Sequence, residues 1–290
     1  MILETYSAFK DFQLLDSGDG QRLEQWSEYR LIRPDPQAVW QKSLPDLEWQ
    51  KANAQYITDD DKGNWSKYKD IPESWLVAWN DTKLVAKLSP FKHTGIFAEQ
   101  AANWEWLLVK TANKNKPLRI LNLFGYTGCA SIILAKAGHK VTHVDASKPA
   151  IAWAKENQQA NNLKNDSIRW IIDDATDFVR RENKRGNLYD GIIMDPPAFG
   201  HGPTGKIWKF NRDLPTLLQL SMGLFSNEAC FLLINGYATN ASALSLYNIT
   251  EDALKLTQFK GKLSFGELCL KQKNNRLIST GIFSRWHSLN

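Results

Sequence analysis

From residue 119 to 234, short apolar runs alternate with longer stretches in which apolar positions recur every three or four residues. The runs 119–124, 140–144, 168–172, 190–194 and 229–234 predict buried strands, and 129–137, 149–161, 175–182 and 214–224 predict the helices between them. Such alternation builds a parallel α/β sheet. Ser147 stands where a helix cap belongs and Pro149 falls in the first turn: the hydroxyl accepts from orphan amides, and proline has no amide to lose. A further helix is expected over 98–110. The tail, 262–270 and 277–285 around the polar Lys273-Asn274-Asn275, predicts an antiparallel hairpin.

The first 90 residues follow a different rhythm. Residues 12–16 and 29–33, with the turn-rich Ser17-Gly18-Asp19-Gly20 between them, read as one hairpin, and Pro34 and Pro36 close it. Residues 75–79 and 84–88 read as a second, turning at Asn80-Asp81. The polar stretch 56–74, with Asp59-Asp60-Asp61-Lys62-Gly63, reads as a surface loop or linker. The chain thus divides into a small β-rich domain, 1–90, and an α/β domain, 91–290. Eight of twelve tryptophans (Trp26, Trp40, Trp49, Trp65, Trp75, Trp79, Trp104 and Trp106) precede position 107, which points to an aromatic core in the small domain.

Composition removes whole classes. Among 290 residues, 43% are hydrophobic and 23% charged, the balance of a folded domain with a full core. No run approaches the roughly 20 apolar residues of a membrane span, and residues 1–10 lack the layout of a signal peptide, so a cytoplasmic protein is expected. Cys129, Cys230 and Cys269 form no Cys-x-x-Cys pair and the five histidines no ligand spacing, so no metal is expected. A net charge of +5 is compatible with a polyanionic partner.

The chemistry-bearing residues fall where the predicted strands end, which is where open parallel sheets bind ligands. Gly125 and Gly128 break the first run. Two glycines allow a tight turn beside a ligand but leave the Gly-x-Gly-x-x-Gly pyrophosphate pattern incomplete, which favours a nucleoside over a dinucleotide. Asp145, ending the second strand, is placed to accept from both ribose hydroxyls; Asp174, after the third, can accept from an adenine amine or cap the following helix. Asp195-Pro196-Pro197-Ala198-Phe199 ends the fourth. Its prolines stiffen a backbone whose carboxylate and carbonyl can accept from a substrate, and Phe199 can stack on a flat ring. The basic and aromatic stretch after it offers Lys206, Lys209 and Arg212 to phosphates and Trp208 to a substrate, as a mobile active-site loop. Gly200 to Lys206 approaches a Walker A loop, but Ile207 replaces the magnesium-binding hydroxyl.

Taken together, Leu121-Asn122-Leu123-Phe124-Gly125-Tyr126-Thr127-Gly128, Val144-Asp145-Ala146-Ser147, Asp173-Asp174-Ala175 and Asp195-Pro196-Pro197-Ala198-Phe199 resemble the class I S-adenosylmethionine-dependent methyltransferases, in the branch containing large-subunit ribosomal RNA methyltransferases. The resemblance covers roughly residues 90–290 and implies a seven-stranded Rossmann-like sheet with an antiparallel last strand. It further implies S-adenosylmethionine as cofactor, held by Phe97, Gln100, Phe124, Gly125, Tyr126, Thr127, Gly128, Asp145, Ala146, Ser147, Asp174, Ala175 and Asp195. Asp195, Pro196, Pro197 and Phe199 would serve catalysis, and Lys206, Trp208, Lys209, Arg212 and Tyr237 the substrate, with RNA as partner. The related cytosine enzymes place a cysteine after the fifth strand, where this chain reads Ile234-Asn235-Gly236-Tyr237-Ala238. A covalent cytosine mechanism is therefore disfavoured, methylation of a nucleobase nitrogen is favoured, and Tyr237 becomes a pocket wall. The RNA-binding appendage common in that branch has no recognisable counterpart. A small-molecule or protein acceptor, and a nicotinamide-dependent oxidoreductase, are the alternatives.

Overall fold

The computed structural model describes every residue except Ser7, Asp60, Asp61, Pro203, Thr204 and Asn290, and only the backbone of Asp59, Lys62 and His201. It divides into two units. One comprises Met1–Glu4, Asn103–Leu268 and Gly281–Asn290, the other Thr5–Ala102 and Cys269–Thr280.

After the first strand, β1 (Ile2–Thr5), the second unit begins. It forms the sheet β2-β3-β4-β5-β6 from β2 (Phe12–Gly18), β3 (Gln21–Trp26), β4 (Tyr29–Pro34), β5 (Ala54–Asp59) and β6 (Lys62–Lys67). One helical turn, α1 (Asp46–Trp49), precedes β5, and β7 (Trp75–Trp79) with β8 (Thr82–Ala86) make the expected second hairpin. Two expectations need correction. The turn at 17–20 joins β2 to β3, not to β4, so the hairpin is a three-stranded meander. β3 escaped the pattern because it buries charge. Arg33 donates twice to Glu24 at 2.8 Å and Arg22 lies 3.0 Å from Asp35, so polar letters occupy core positions. The stretch expected as a linker contains β5 and β6, whose opposed Tyr56 and Trp65 rings meet edge to face at 5.5 Å. Trp26, Trp49, Trp75 and Trp79 are buried, whereas Trp104 and Trp106 belong to a helix of the other unit.

That helix, α2 (Ala101–Thr111), opens the α/β unit. Next come β9 (Arg119–Leu123), α3 (Cys129–Lys136), β10 (Lys140–Asp145), α4 (Lys148–Ala160), β11 (Ile168–Ile172), α5 (Ala175–Arg185) and β12 (Gly191–Met194). The small hairpin β13 (Phe199–His201) and β14 (Ile207–Lys209) leads into α6 (Phe210–Met222), then β15 (Phe231–Gly236), α7 (Ala243–Lys255), β16 (Gly261–Lys271) and β17 (Leu277–Ser288). The sheet order is β1-β16-β17-β15-β12-β9-β10-β11. Strands β15, β12, β9, β10 and β11 run parallel, and β17 pairs antiparallel to β15. The expected seven strands are present with β1 added at the edge. Alternation sorts the side chains. Leu121, Ile192, Met194 and Leu232 pack with α5, α6 and α7, while Ile120, Ile193 and Leu233 pack with α2 and α3. The stretch expected to be a loop ends early, since Lys209 caps α6 and Arg212 lies inside it. α7, capped by Ser242, was not foreseen.

Candidate active site

The turn after β9 is built from left-handed backbone. Phe124, Tyr126 and Gly128 have φ of 55°, 51° and 79°. Gly125 donates to the Val144 carbonyl at 3.1 Å, and the Tyr126 amide donates to Asp145 Oδ2 at 2.8 Å. Asp145 Oδ1 accepts from the Ser147 amide at 2.8 Å, and its backbone carbonyl accepts from Asp173 at 3.1 Å. One residue at the end of β10 thus ties three strand ends together. Burial pushes its carboxyl pKa up, and the two amides oppose that shift. Each carboxylate oxygen has a second lone pair beyond the one its amide uses, so the group can still accept from two hydroxyls.

Gly125 is fixed by what lies beneath it. A β-carbon there would meet the His143 ring at 2.3 Å. That ring is buried against Trp170 at 4.7 Å with Nδ1 2.9 Å from Ser131 Oγ, which accepts from Asn122. Burial holds the His143 pKa down to about 3, so the imidazole is neutral at pH 7. Gly125→Ala is expected to cost about 2 kcal/mol of stability through overpacking. A melting curve checks it, and an unchanged Tm would mean that the ring can move aside.

Asp174 takes the capping role. It caps α5 by accepting from the Asp177 amide at 3.0 Å, ahead of buried Ala175, and its carboxylate lies 3.7 Å from Lys206 Nζ. Asp173 pairs with Arg181 instead. Phe97 and Gln100 lie in the other unit, where the Phe97 ring is 4.8 Å from that of His93 and Gln100 ends a 3-10 turn.

On the far side of β9 the Asp195 amide donates to Leu123, Pro196 is buried, and Pro197 forms a bridge with Tyr237, which immediately follows β15. Phe199 is 52% exposed on β13. Four of the five expected substrate residues behave differently from the loop anticipated. Trp208 is 7% exposed, donates Nε1–H to the Pro197 carbonyl at 2.9 Å and lies 4.9 Å from the Phe124 ring. Lys206 reaches Asp177 at 3.4 Å, and Arg212 pairs with Asp213 at 2.8 Å. Lys209 is exposed at the α6 cap, and its amide donates to Asp213. Tyr237 lies beside the proline motif, bridged to Pro197. The Walker-like run leads into β14, not into a helix amino terminus, so it lacks the phosphate-binding arrangement.

A buried relay went unread in the sequence. Arg285 Nε donates to Asn103 Oδ1 at 2.8 Å, and Asn103 Nδ2 donates to Asn235 Oδ1 at 2.8 Å, one residue before the end of β15. Asn235, directly after the apolar run Phe231-Leu232-Leu233-Ile234, is the available signal.

Residues 51–249 match the family model of S-adenosylmethionine-dependent methyltransferases. The chain belongs to that family. A SAM-dependent methyltransferase from Agrobacterium tumefaciens, solved as a crystal structure, is 39% identical and superposes with a TM-score of 0.94 over 99% of this chain and 93% of its own. Ribosomal RNA large subunit methyltransferase I of Pseudoalteromonas translucida is 35% identical over 43% of this chain and 31% of its own length. Ribosomal RNA large subunit methyltransferase K/L of Pseudoalteromonas atlantica is 30% identical over 67% of this chain and 28% of its own. The chain therefore matches less than a third of the length of these two curated relatives.

The match to this S-adenosylmethionine-dependent family agrees with a sheet whose last strand, β17, pairs antiparallel to β15. Among the described residues no cluster of three His, Cys, Asp or Glu could hold a metal, and no helix is long and apolar enough to cross a membrane.

Proposed function

We propose that this methyltransferase acts on a nucleobase nitrogen in RNA, ribosomal RNA being the acceptor class named in its relatives. The observation that carries the reading is the half-exposed Phe199 ring. It follows an Asp-Pro-Pro turn that is bridged to Tyr237 and tied to the end of β9 by the Asp195 amide on Leu123. A flat acceptor stacked on Phe199 presents an edge N–H to the Asp195 carboxylate. That hydrogen bond holds the nitrogen in register and raises its electron density.

S-adenosylmethionine supplies an electrophilic methyl group when bound. The chemistry of the residues present fits it: Asp145, whose oxygens keep free lone pairs, would accept from the ribose diol, and Asp174 would accept from the adenine amine. Phe124, Gly125, Tyr126, Thr127 and Gly128 would border the methionine part, while Ala146, Ser147 and Ala175 would line the nucleoside. Phe97, Gln100 and the involvement of Asp195 with the cofactor rest on the family resemblance. The remaining work is alignment and exclusion of water. The state of the thiols supports a nitrogen acceptor. Burial pushes Cys129 up to about 11 and raises Cys230, so neither supplies the thiolate that attack at a pyrimidine carbon requires.

Lys206, Lys209 and Arg212 are proposed to contact phosphates, the first and last by exchanging their carboxylate partners. Three such contacts to single-stranded RNA predict an affinity loss of about 20-fold between roughly 50 and 200 mM salt. Filter binding to ribosomal RNA measures this directly. A salt-independent affinity would point to a small-molecule or protein acceptor.

A further inference from the structure

We infer that Trp208 is a positioning residue that locks the acceptor motif to the cofactor turn; this rests on reading Asp195–Phe199 as the acceptor site. Trp208 is the middle residue of three-residue β14, between exposed Ile207 and Lys209, in a hairpin otherwise rich in glycine and polar residues. A large side chain buried there is doing something for its neighbours.

The motif needs an outside anchor. Pro196 and Pro197 have no N–H, so these two residues contribute no backbone donor to pin the motif. Its anchors include the Asp195 amide on Leu123, the Pro197–Tyr237 bridge, the Phe210 amide on the Ala198 carbonyl at 3.1 Å and the pairing of Phe199 with Lys209; the Trp208 indole N–H on the Pro197 carbonyl at 2.9 Å is the side-chain anchor that also reaches the cofactor turn. The cofactor turn needs support as well. Phe124 has φ of 55°, a conformation that a side chain bearing a β-carbon adopts only when packing holds it. The Trp208 ring lies against it at 4.9 Å with the planes inclined by 55°. A single indole therefore holds the amide-less motif through its nitrogen and the strained turn through its face. In-line methyl transfer depends on how these two pieces of backbone are spaced, and displacements near 1 Å are enough to slow such reactions.

Trp208→Phe keeps the ring against Phe124 and removes the N–H. With ribosomal RNA from cells lacking the protein as acceptor, kcat is expected to fall about tenfold while S-adenosylhomocysteine affinity stays within about twofold. Amide exchange is expected to quicken about tenfold over residues 195–201 and to hold steady over 124–128. Trp208→Ala, which removes both contacts, should quicken exchange in both segments and weaken S-adenosylhomocysteine binding. The inference is overturned if Trp208→Phe exchanges like wild type over 195–201, or if it turns over the RNA at the wild-type kcat. Should the wild type transfer no methyl to this RNA, the RNA reading fails by itself and the exchange experiment still decides the role of Trp208.

Discussion

Asp145→Ala is expected to weaken S-adenosylmethionine binding by about a hundredfold. Two oxygens that accept hydroxyl hydrogen bonds disappear at once, and bonds to a charged group are each worth roughly 1.5–3 kcal/mol. The same oxygens receive the Tyr126 and Ser147 amides at 2.8 Å, so the substitution also frees the turn after β9 and the entry to α4. Calorimetric titration with S-adenosylhomocysteine reads the loss, and an unaltered affinity would remove the ribose contact from the account. Because burial raises the Asp145 pKa, the wild-type affinity should begin to fall, as pH is lowered, above the ordinary carboxylate range, where the oxygens start to protonate.

Phe199→Ala should have the opposite profile. The ring is half exposed on a short hairpin strand, so its loss leaves the core intact. Stacking of a base on an aromatic ring is worth about 1–3 kcal/mol, which predicts a fall in kcat/KM of roughly ten- to hundredfold. Cofactor affinity should hardly change. A variant that transferred methyl groups normally but bound cofactor poorly would assign Phe199 to the cofactor and not to the acceptor.

The sequence disclosed most where chemistry and periodicity coincide. The strand ends carrying Gly125, Asp145 and Asp195 are legible because apolar runs stop there at a glycine or a carboxylate. Strand β3 was hidden because Arg22 and Glu24 are core residues neutralised by Asp35 and Arg33, a pairing that exists only after folding. Strand β6, Lys-Gly-Asn-Trp-Ser-Lys, is polar at an edge, and its Trp65 packs against Tyr56. The substrate residues fared unevenly for a similar reason. In the sequence Lys206, Trp208 and Arg212 are read by type and position alone, whereas the fold gives each a partner from its own chain: Asp177, the Pro197 carbonyl and Asp213. Asn103, Asn235 and Arg285 are far apart in sequence, so no local pattern could join them.

The central claim is that the strand ends of the α/β unit present a methyl donor to a base stacked on Phe199. Mass spectrometry of nucleosides from ribosomal RNA tests it most directly, in cells with the protein, without it, and with Phe199→Ala in its place. The account predicts one N-methylated nucleoside that disappears with the protein, returns with the wild type and does not return to full level with the variant. An identical nucleoside profile in all three would contradict it.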